Sequence, residues 1–193
     1  MATETEMKLP VDDLAPVEAR LKRLRAEPLG QFVQDDMFFD SPQRRLLAAD
    51  CGLRLRTLQQ PDPPGPQRKY VLTYKGARQA RSIKQREEIE VEVADAKAMI
   101  DVLDRLGFGL MLHLQKRRRR YRLNDCFVEL DTLPVLGHFV EIEGPSEDLI
   151  HKVARKLDLD PLRSITDSYA SLLMSHARLR GLPLQPAKFL LPD

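Results

Sequence analysis

The chain of 193 residues is poor in the features that mark membrane, secreted and disulfide-bonded proteins. No stretch approaches the roughly 18 consecutive apolar residues that a membrane-spanning helix needs. The first ten residues lack the basic and apolar regions of a signal peptide, so we expect a cytoplasmic protein. The two cysteines, Cys51 and Cys126, do not have the spacing of metal ligands, and we expect them to be reduced thiols.

The sequence also has little net charge and lacks the common phosphate-binding and catalytic motifs. With 31 basic and 29 acidic residues, the net charge is +2, which excludes a protein that coats nucleic acid through bulk positive charge. There is no Walker A loop, no GxGxxG, and no Ser-His-Asp or Cys-His arrangement. The length suits one domain, which we place at residues 1–180, followed by a Pro-rich tail over 181–193.

What the sequence does contain is a series of segments in which charged and apolar residues alternate. Side chains of a strand alternate between its faces, so each segment is a predicted strand with one polar face. The eight segments are 3–9, 32–39, 53–58, 70–75, 86–93, 113–123, 126–131 and 138–143. One such strand is typical of a half-exposed sheet. Here seven of the strands carry charges, and the acids and the bases cluster on different strands. This pattern favours a closed barrel with a polar interior.

Amphipathic segments between the strands are predicted to be helices that cover the apolar outside of this barrel. Asp12 or Asp13, Asp95 and Ser146 are candidate N-caps of three helices, and a fourth helix runs from about 167 to 179. Such cover is needed because a soluble protein cannot expose a ring of Val, Leu and Ile. The predicted fold class is therefore α+β, an eight-stranded antiparallel β-barrel with helices packed on its outside.

The inward positions of the barrel would collect more cations than we expect a cavity to hold without a polyanion. These cations are Lys8, Arg54, Arg56, Lys75, Lys116 and Arg118, with Arg86 and Arg120 as further candidates. Arginine offers forked donors that match phosphate oxygens. The inward acids are Glu4, Glu6, Glu88, Glu90, Glu129, Asp131, Glu141 and Glu143. Carboxylates that face a polyphosphate require a hard cation between them, such as Mg²⁺ or Mn²⁺.

A series of short motifs resembles one known family. Glu4-Thr5-Glu6-Met7-Lys8 is similar to the ExExK signature of the CYTH superfamily, the class IV adenylyl cyclases and thiamine triphosphatases, also called triphosphate tunnel metalloenzymes. Further motifs follow in the family's order between residues 3 and 175: Gln34-x-Asp36-x-Phe38-Phe39-Asp40, Leu53-Arg54-Leu55-Arg56, Leu72-Thr73-Tyr74-Lys75-Gly76, Arg86-x-Glu88-x-Glu90, Lys116-x-Arg118-x-x-Tyr121, Leu130-Asp131, Leu136-Gly137-x-Phe139-x-Glu141-x-Glu143 and Ser168-Tyr169.

The resemblance implies a tunnel that grips a triphosphate, with Mg²⁺ or Mn²⁺ held by acidic pairs. The implied metal ligands are Glu4, Glu6, Glu141 and Glu143. The implied phosphate-binding residues are Lys8, Arg54, Arg56, Lys75, Lys116 and Arg118, to which the charge pattern adds Arg86. Lys8, Glu88, Glu90 and Asp131 are the candidate catalytic residues. Phe38 stands where the family usually has Tyr, and Asp167 stands where many members carry a basic residue, so a phosphate clamp from the last helix is not implied.

Three functions fit these residues. The first is a phosphohydrolase that cleaves the terminal phosphoanhydride of inorganic triphosphate, ATP or another nucleoside or thiamine triphosphate, which the pair Arg54 and Arg56 favours. The second is a class IV adenylyl cyclase that converts ATP to cyclic AMP and pyrophosphate. The third is a non-catalytic polyphosphate- or nucleotide-binding module, which the retained acids disfavour. We expect a small-molecule triphosphate as the partner, no membrane, and a monomer or homodimer.

A run of five cations, from Lys116 to Arg120, invites the hypothesis of a nucleic-acid-binding surface. In a strand, however, Arg117 and Arg119 face away from the other three, which splits the run between two faces. The run also lacks interleaved aromatic residues. Nucleic acid is therefore not the predicted main partner.

Overall fold

The computed structural model describes residues 2–59, 68–78, 84–182 and 186–192, without the side chains of residues 2–4 and 84. The strands and helices follow in the order β1 (Ala2–Val11), α1 (Ala15–Arg23), β2 (Glu27–Asp40), α2 (Arg45–Ala48), β3 (Gly52–Gln59), β4 (Arg68–Lys75), β5 (Lys84–Val93), α3 (Ala96–Arg105), β6 (Gly109–Leu123), β7 (Cys126–Leu133), β8 (Gly137–Glu143), α4 (Glu147–Lys156), a 3-10 turn (Pro161–Arg163), α5 (Tyr169–Leu179) and β9 (Ala187–Phe189). All eight predicted strands are confirmed.

Eight antiparallel strands close into a barrel. Their order around the ring is β2-β3-β4-β5-β1-β8-β7-β6, and β6 pairs back onto β2. The β2–β6 ladder that completes the ring extends from Glu27 opposite Arg122 to Asp40 opposite Gly109. β1 forms the other contact between early and late parts of the chain, because it lies between β5 and β8. The predicted fold class is therefore confirmed.

The helices pack against apolar side chains that point outward from the barrel. Met7 and Leu9 of β1 are buried in one cluster with Val17 of α1 and with Ile150 and Val153 of α4. α3 covers another part of the wall, where Leu103 is buried with Leu55 of β3 and Phe39 of β2. Since a strand buries alternate residues, covering the outside with helices leaves the opposite positions for the interior.

Two of the predicted helix caps are confirmed and one is wrong. Asp95 accepts hydrogen bonds from the backbone N–H groups of Lys97 and Ala98, and Ser146 accepts one from Leu149. The N-cap of α1 is Leu14, which has no side-chain capping bond, while Asp13 accepts a bond from the Ala15 N–H. Pro16 in the first turn starts this helix without needing an N–H partner.

The cover of the barrel is incomplete on β5, contrary to the expectation of a fully covered exterior. Ile89 and Val91 point outward and are 50% and 54% exposed. No described helix is long and apolar enough to cross a membrane.

Part of the Pro-rich tail over 181–193 forms a strand. Residues 187–189 form β9, which pairs in parallel with β6 at Leu112, His113 and Leu114. Ala187 and Phe189 of this strand are buried with Leu173 of α5. The sequence also predicts loops in the Pro-rich segment 59–69 and the basic segment 76–85. Both segments lie mostly outside the described residues, which omit 60–67 and 79–83.

Candidate active site inside the barrel

One cavity of about 710 Å³ collects most of the predicted site residues. It opens inside the barrel because the inward positions of the strands carry long charged side chains rather than packed apolar ones. Its lining includes Glu6, Lys8, Arg54, Arg56, Lys75, Arg86, Glu88, Glu90, Lys116, Arg118, Glu141 and Glu143. The side chain of Glu4 lies outside the described part of the structure, although its backbone pairs with Arg86 in the β1–β5 ladder.

Arg118 is the centre of an ion-pair cluster between β6, β7 and β8. Its Nε and Nη2 lie 2.7 and 2.5 Å from the two carboxylate oxygens of Asp131, and its guanidinium also contacts Glu129 and Glu141. Burial alone would lower the pKa of Arg118, but the three carboxylates raise it well above its ordinary value. Arg118 is therefore a permanent cation in the cavity.

Asp131 of β7 is fully buried. Besides its paired bonds from Arg118, it accepts bonds from the Lys116 ammonium at 2.9 Å and the Tyr169 hydroxyl at 3.0 Å. Burial alone would raise the pKa of Asp131, but Arg118 and Lys116 lower it below the ordinary value. Asp131 thus holds two cations in place, and this arrangement occupies both oxygens that a catalytic role would use.

Tyr169, at the start of α5, closes this part of the cavity. Its ring centre lies 4.3 Å from the Lys8 ammonium and 4.6 Å from the Lys116 ammonium, within cation–π distance. Lys8 also lies 3.2 Å from Glu141 and donates to the Asp167 carbonyl at 2.9 Å. The sequence places Tyr169 in a motif without indicating its role, because strand alternation does not show which helix residue enters a barrel.

Asp36 of β2 and Arg56 of β3 form a second ion pair. Around the ring, β2 and β3 lie on one side of β6, which carries Arg118, and β7 and β8 lie on its other side. Two bonds of 2.6 and 2.7 Å join the guanidinium to the carboxylate across the β2–β3 ladder. Burial alone would raise the pKa of Asp36, but Arg56 holds it well below its usual range. Asp36 is a site residue that sequence reasoning missed as such, although its position in register with Gln34 was a usable signal.

The remaining predicted residues of the first half pair across β3, β4 and β5. Arg54 donates to the Thr73 hydroxyl at 3.1 Å, and that hydroxyl donates to Glu90 at 2.9 Å. Lys75 contacts Glu88 across the β4–β5 ladder. These pairs bring the candidate catalytic acids Glu88 and Glu90 directly against candidate phosphate-binding cations.

Arg86 differs from the other cations because backbone carbonyls accept hydrogen bonds from two of its nitrogens. Its Nε donates to the Gly76 carbonyl at 2.8 Å and its Nη2 to the Asp50 carbonyl at 2.7 Å. The guanidinium therefore joins the segment before β3 to the segment after β4. Its predicted contact with phosphate stays a prediction, and it would use other N–H groups of the guanidinium, which lines the cavity.

The acidic residues fit a hard divalent ion in donor type. Glu6 and Glu143 are direct partners in the β1–β8 ladder and both line the cavity. Within the described residues, no three His, Cys, Asp or Glu side chains converge into a ready-made metal site. Mg²⁺ commonly takes only one or two carboxylates and completes its shell with substrate phosphate and water. The pair Glu6 and Glu143 meets that requirement, so the predicted metal ligands fit but remain a prediction.

The cavity is charged but internally compensated. Each candidate phosphate-binding cation of β1, β3, β4 and β6 lies against a carboxylate from its own or a neighbouring strand. These carboxylates offset much of the repulsion among the cations. A ligand phosphate has to compete with these carboxylates for the same donors.

Comparisons with known proteins agree with this geometry. The CYTH domain family model matches residues 2–169, which include all eight barrel strands. A Methanocaldococcus jannaschii protein named as an adenylate cyclase is 30% identical over 182 residues, which are 93% of this chain and 99% of that protein. The structure of a Pyrococcus horikoshii protein is similar with a TM-score of 0.77 and 28% identity, over 90% of this chain and 99% of that one.

A more distant structure shares the fold alone. It is a Hippeastrum protein described as an adenylyl cyclase with a dominant triphosphatase activity. It is 18% identical, with a TM-score of 0.63, over 95% of this chain and 98% of that one.

Proposed function

Because the chain belongs to the CYTH domain family, we propose that it is an enzyme that binds a triphosphate inside the barrel and hydrolyses its terminal phosphoanhydride with the help of Mg²⁺ or Mn²⁺. One observation supports this proposal above the others: buried cations on β3 and β6 face carboxylates of β1, β7 and β8 within one cavity.

Binding would proceed by exchange of partners. Arg56 and Arg118 present forked donors that already hold carboxylates in the geometry that a phosphate would take. When phosphate oxygens replace Glu141 at Lys8 and Arg118, the Glu141 carboxylate becomes available as a metal ligand next to the pair Glu6 and Glu143. Triphosphate and metal binding would therefore support each other.

The chain's own residues would then orient the phosphate chain and stabilise its charge. Lys116 and Arg118 are fixed by Asp131, so these cations meet the developing charge of the leaving group without first having to reorganise. A bound divalent ion would supply an activated water and neutralise phosphate charge. Glu6, Glu141 and Glu143 are the residues that would hold it, and Glu4 is a further candidate.

A second candidate function is the cyclisation of ATP to cyclic AMP and pyrophosphate. The name of the Methanocaldococcus jannaschii relative favours it. The two reactions need the same phosphate-binding residues and differ in which phosphorus meets the nucleophile. The description of the Hippeastrum protein pairs the name of an adenylyl cyclase with a dominant triphosphatase activity.

One assay separates these functions. The purified protein is incubated with ATP, inorganic triphosphate or thiamine triphosphate, each with Mg²⁺ or Mn²⁺, and cyclic AMP, phosphate and pyrophosphate are resolved. Release of phosphate supports hydrolysis, whereas equal amounts of cyclic AMP and pyrophosphate from ATP support cyclisation. Tight binding without any product would leave only the binding module.

A further inference from the structure

The segment from Ile165 to Tyr169, which we call the strap, ties the start of α5 to Lys8 of β1. The Ile165 N–H donates to the Lys8 carbonyl at 2.9 Å, and the Lys8 ammonium donates to the Asp167 carbonyl at 2.9 Å. The ring of Tyr169 lies 4.3 Å from the same ammonium. The direction of the Lys8 ammonium, which also faces Glu141 at 3.2 Å, therefore depends on where the strap lies.

An arginine outside the cavity reaches the strap from the first half of the chain. Arg78, which follows β4, places its Nη1 3.9 Å from the Asp167 carboxylate. The two side chains are 35% and 57% exposed. An ion pair of this kind stabilises a protein little when both side chains must first be ordered. Its effect therefore depends on how firmly Arg78 is held.

Asp50 holds Arg78 from the other side. Its carboxylate accepts a bond from the Arg78 backbone N–H at 2.9 Å and contacts the Arg78 Nε at 2.9 and 3.0 Å. Burial alone would raise the pKa of Asp50, but the bonds from Arg78 lower it below its ordinary value. The Asp50 carbonyl in turn accepts a bond from Arg86 at 2.7 Å. A guanidinium that is already fixed loses little further side-chain entropy when it faces Asp167.

Asp50, Arg78 and Asp167 thus form a row of alternating charge, which we call the bridge. Asp50 and Ser168 both line the cavity, whereas Arg78 is not among the described residues that do, so the bridge lies at the rim. We propose that Arg78 is a positioning residue, which fixes the strap through Asp167 so that the Lys8 ammonium points at a bound triphosphate. This inference rests on the proposed function, because Lys8 is one of its phosphate-binding residues.

The first measurement tests the bridge without any ligand. Amide hydrogen exchange, followed by NMR, reports local opening of the strap at the Ile165 N–H. Arg78→Gln and Asp167→Asn should each speed this exchange by about two- to fivefold, the effect of losing one exposed ion pair. Asp167→Asn keeps the backbone carbonyl that Lys8 uses. The double variant should exchange no faster than either single variant, and exchange in β7 should not change.

The second measurement separates positioning from the effect of charge on a polyanion. Dissociation constants of inorganic triphosphate are measured by titration calorimetry in Mg²⁺-free buffer, which prevents turnover. Arg78→Gln removes a positive charge and Asp167→Asn a negative one, so a simple effect of charge would shift the two constants in opposite directions. Positioning predicts that both variants bind about two- to fivefold more weakly. An ionic strength of about 0.15 M screens exposed charges beyond roughly 8 Å.

Arg105→Gln is the matched control, because it removes an exposed arginine from α3 and should change neither measurement. Unchanged exchange at Ile165 in Arg78→Gln, or dissociation constants that shift in opposite directions, would refute the positioning role. Binding of inorganic triphosphate by the unmodified protein would still uphold the proposed function in that case. If the unmodified protein does not bind inorganic triphosphate, the proposed function fails, and the role of Arg78 in it fails as well.

Discussion

The charged residues of the cavity stabilise one another through buried ion pairs. Asp36 and Asp131 are both almost wholly buried, and each is kept ionised by an arginine that donates two bonds to it. Removing one partner of such a pair is costly because the other charge is left buried and uncompensated. The same pairing would reduce the net free energy of phosphate binding, because a phosphate would have to displace a carboxylate that already accepts two hydrogen bonds.

The Asp36→Asn variant should be less stable than the unmodified protein by about 3–5 kcal/mol at pH 7. The pKa of Asp36 is lower in the folded protein than its ordinary value of 3.8, so its carboxylate stabilises the fold above that pH and loses this effect as the pH falls below it. Urea unfolding at several pH values should therefore show a difference that shrinks below about pH 4. Asp101→Asn, in an exposed pair of α3, is the control and should change stability by less than about 0.5 kcal/mol. A difference that is independent of pH would contradict this role of Asp36.

The Glu6→Gln variant should lose turnover by about a hundredfold or more while keeping its fold, because it removes the charge of a proposed metal ligand and preserves the side-chain shape. Initial rates at rising Mg²⁺ concentrations, with a melting curve of each variant, check this expectation. Glu147→Gln on α4, outside the barrel, should retain the unmodified rate. A Glu6→Gln variant with near-normal turnover would remove Glu6 from the metal site.

At the scale of strands and helices, alternation identified the barrel and most of its lining. Every inward charge on β1, β3, β6 and β8 follows from a period of two, because a strand has only two faces. Alternation does not show which strands are neighbours in space. The pairing of Asp36 with Arg56 and of Asp131 with two cations depends on strand order and register, which the sequence does not display.

The positions of the helices on the barrel and the strand near the end of the chain could not be predicted from the sequence. Tyr169 reaches the cavity only because α5 packs across Leu112 and Leu114 of β6, a tertiary contact with no local signal. β9 is three residues long and lies among prolines, so its pattern is too short to predict a strand. The exposed Ile89 and Val91 show that the helices cover less of the wall than a requirement for complete burial suggests.

The Tyr169→Phe variant tests the link between α5 and the barrel. It removes the hydrogen bond to Asp131 and keeps the ring beside Lys8 and Lys116, so it should cost about 1.5–3 kcal/mol, the range for a bond to a charged group. Urea unfolding of Tyr169→Phe, Asp131→Asn and the double variant measures the coupling between them. Tyr70→Phe on β4 is the matched control. Strictly additive losses would show that the hydroxyl does not act through Asp131.

At the scale of the whole molecule, the compensated cavity predicts that metal and polyanion stabilise the fold together. A ligand that binds only the folded barrel raises stability by about 2.7 kcal/mol at a hundredfold excess over its Kd. For about 150–250 residues this moves the melting temperature by several degrees. Inorganic triphosphate with Mg²⁺ should give a shift larger than the sum of the shifts from each alone, because one takes the cations and the other the released carboxylates.

A series of phosphate, pyrophosphate and triphosphate at constant ionic strength serves as the comparison. The shift should rise with chain length, because short anions span only part of the row of cations. Screening of surface charge would give no dependence on length. A flat series would remove the proposed tunnel function.

The order of strands around the ring has one more consequence. A cut between Ala94 and Asp95 would divide the barrel into two contiguous sheets, β2-β3-β4-β5-β1 and β8-β7-β6, which among the described strands are joined by the β1–β8 and β2–β6 ladders. Arg54 and Arg56 belong to the first piece, and Lys116, Arg118 and Glu141 to the second. Neither fragment holds all residues of the proposed triphosphate site. Recovery of triphosphate binding when the two fragments are mixed would therefore report that the barrel has closed from its two parts.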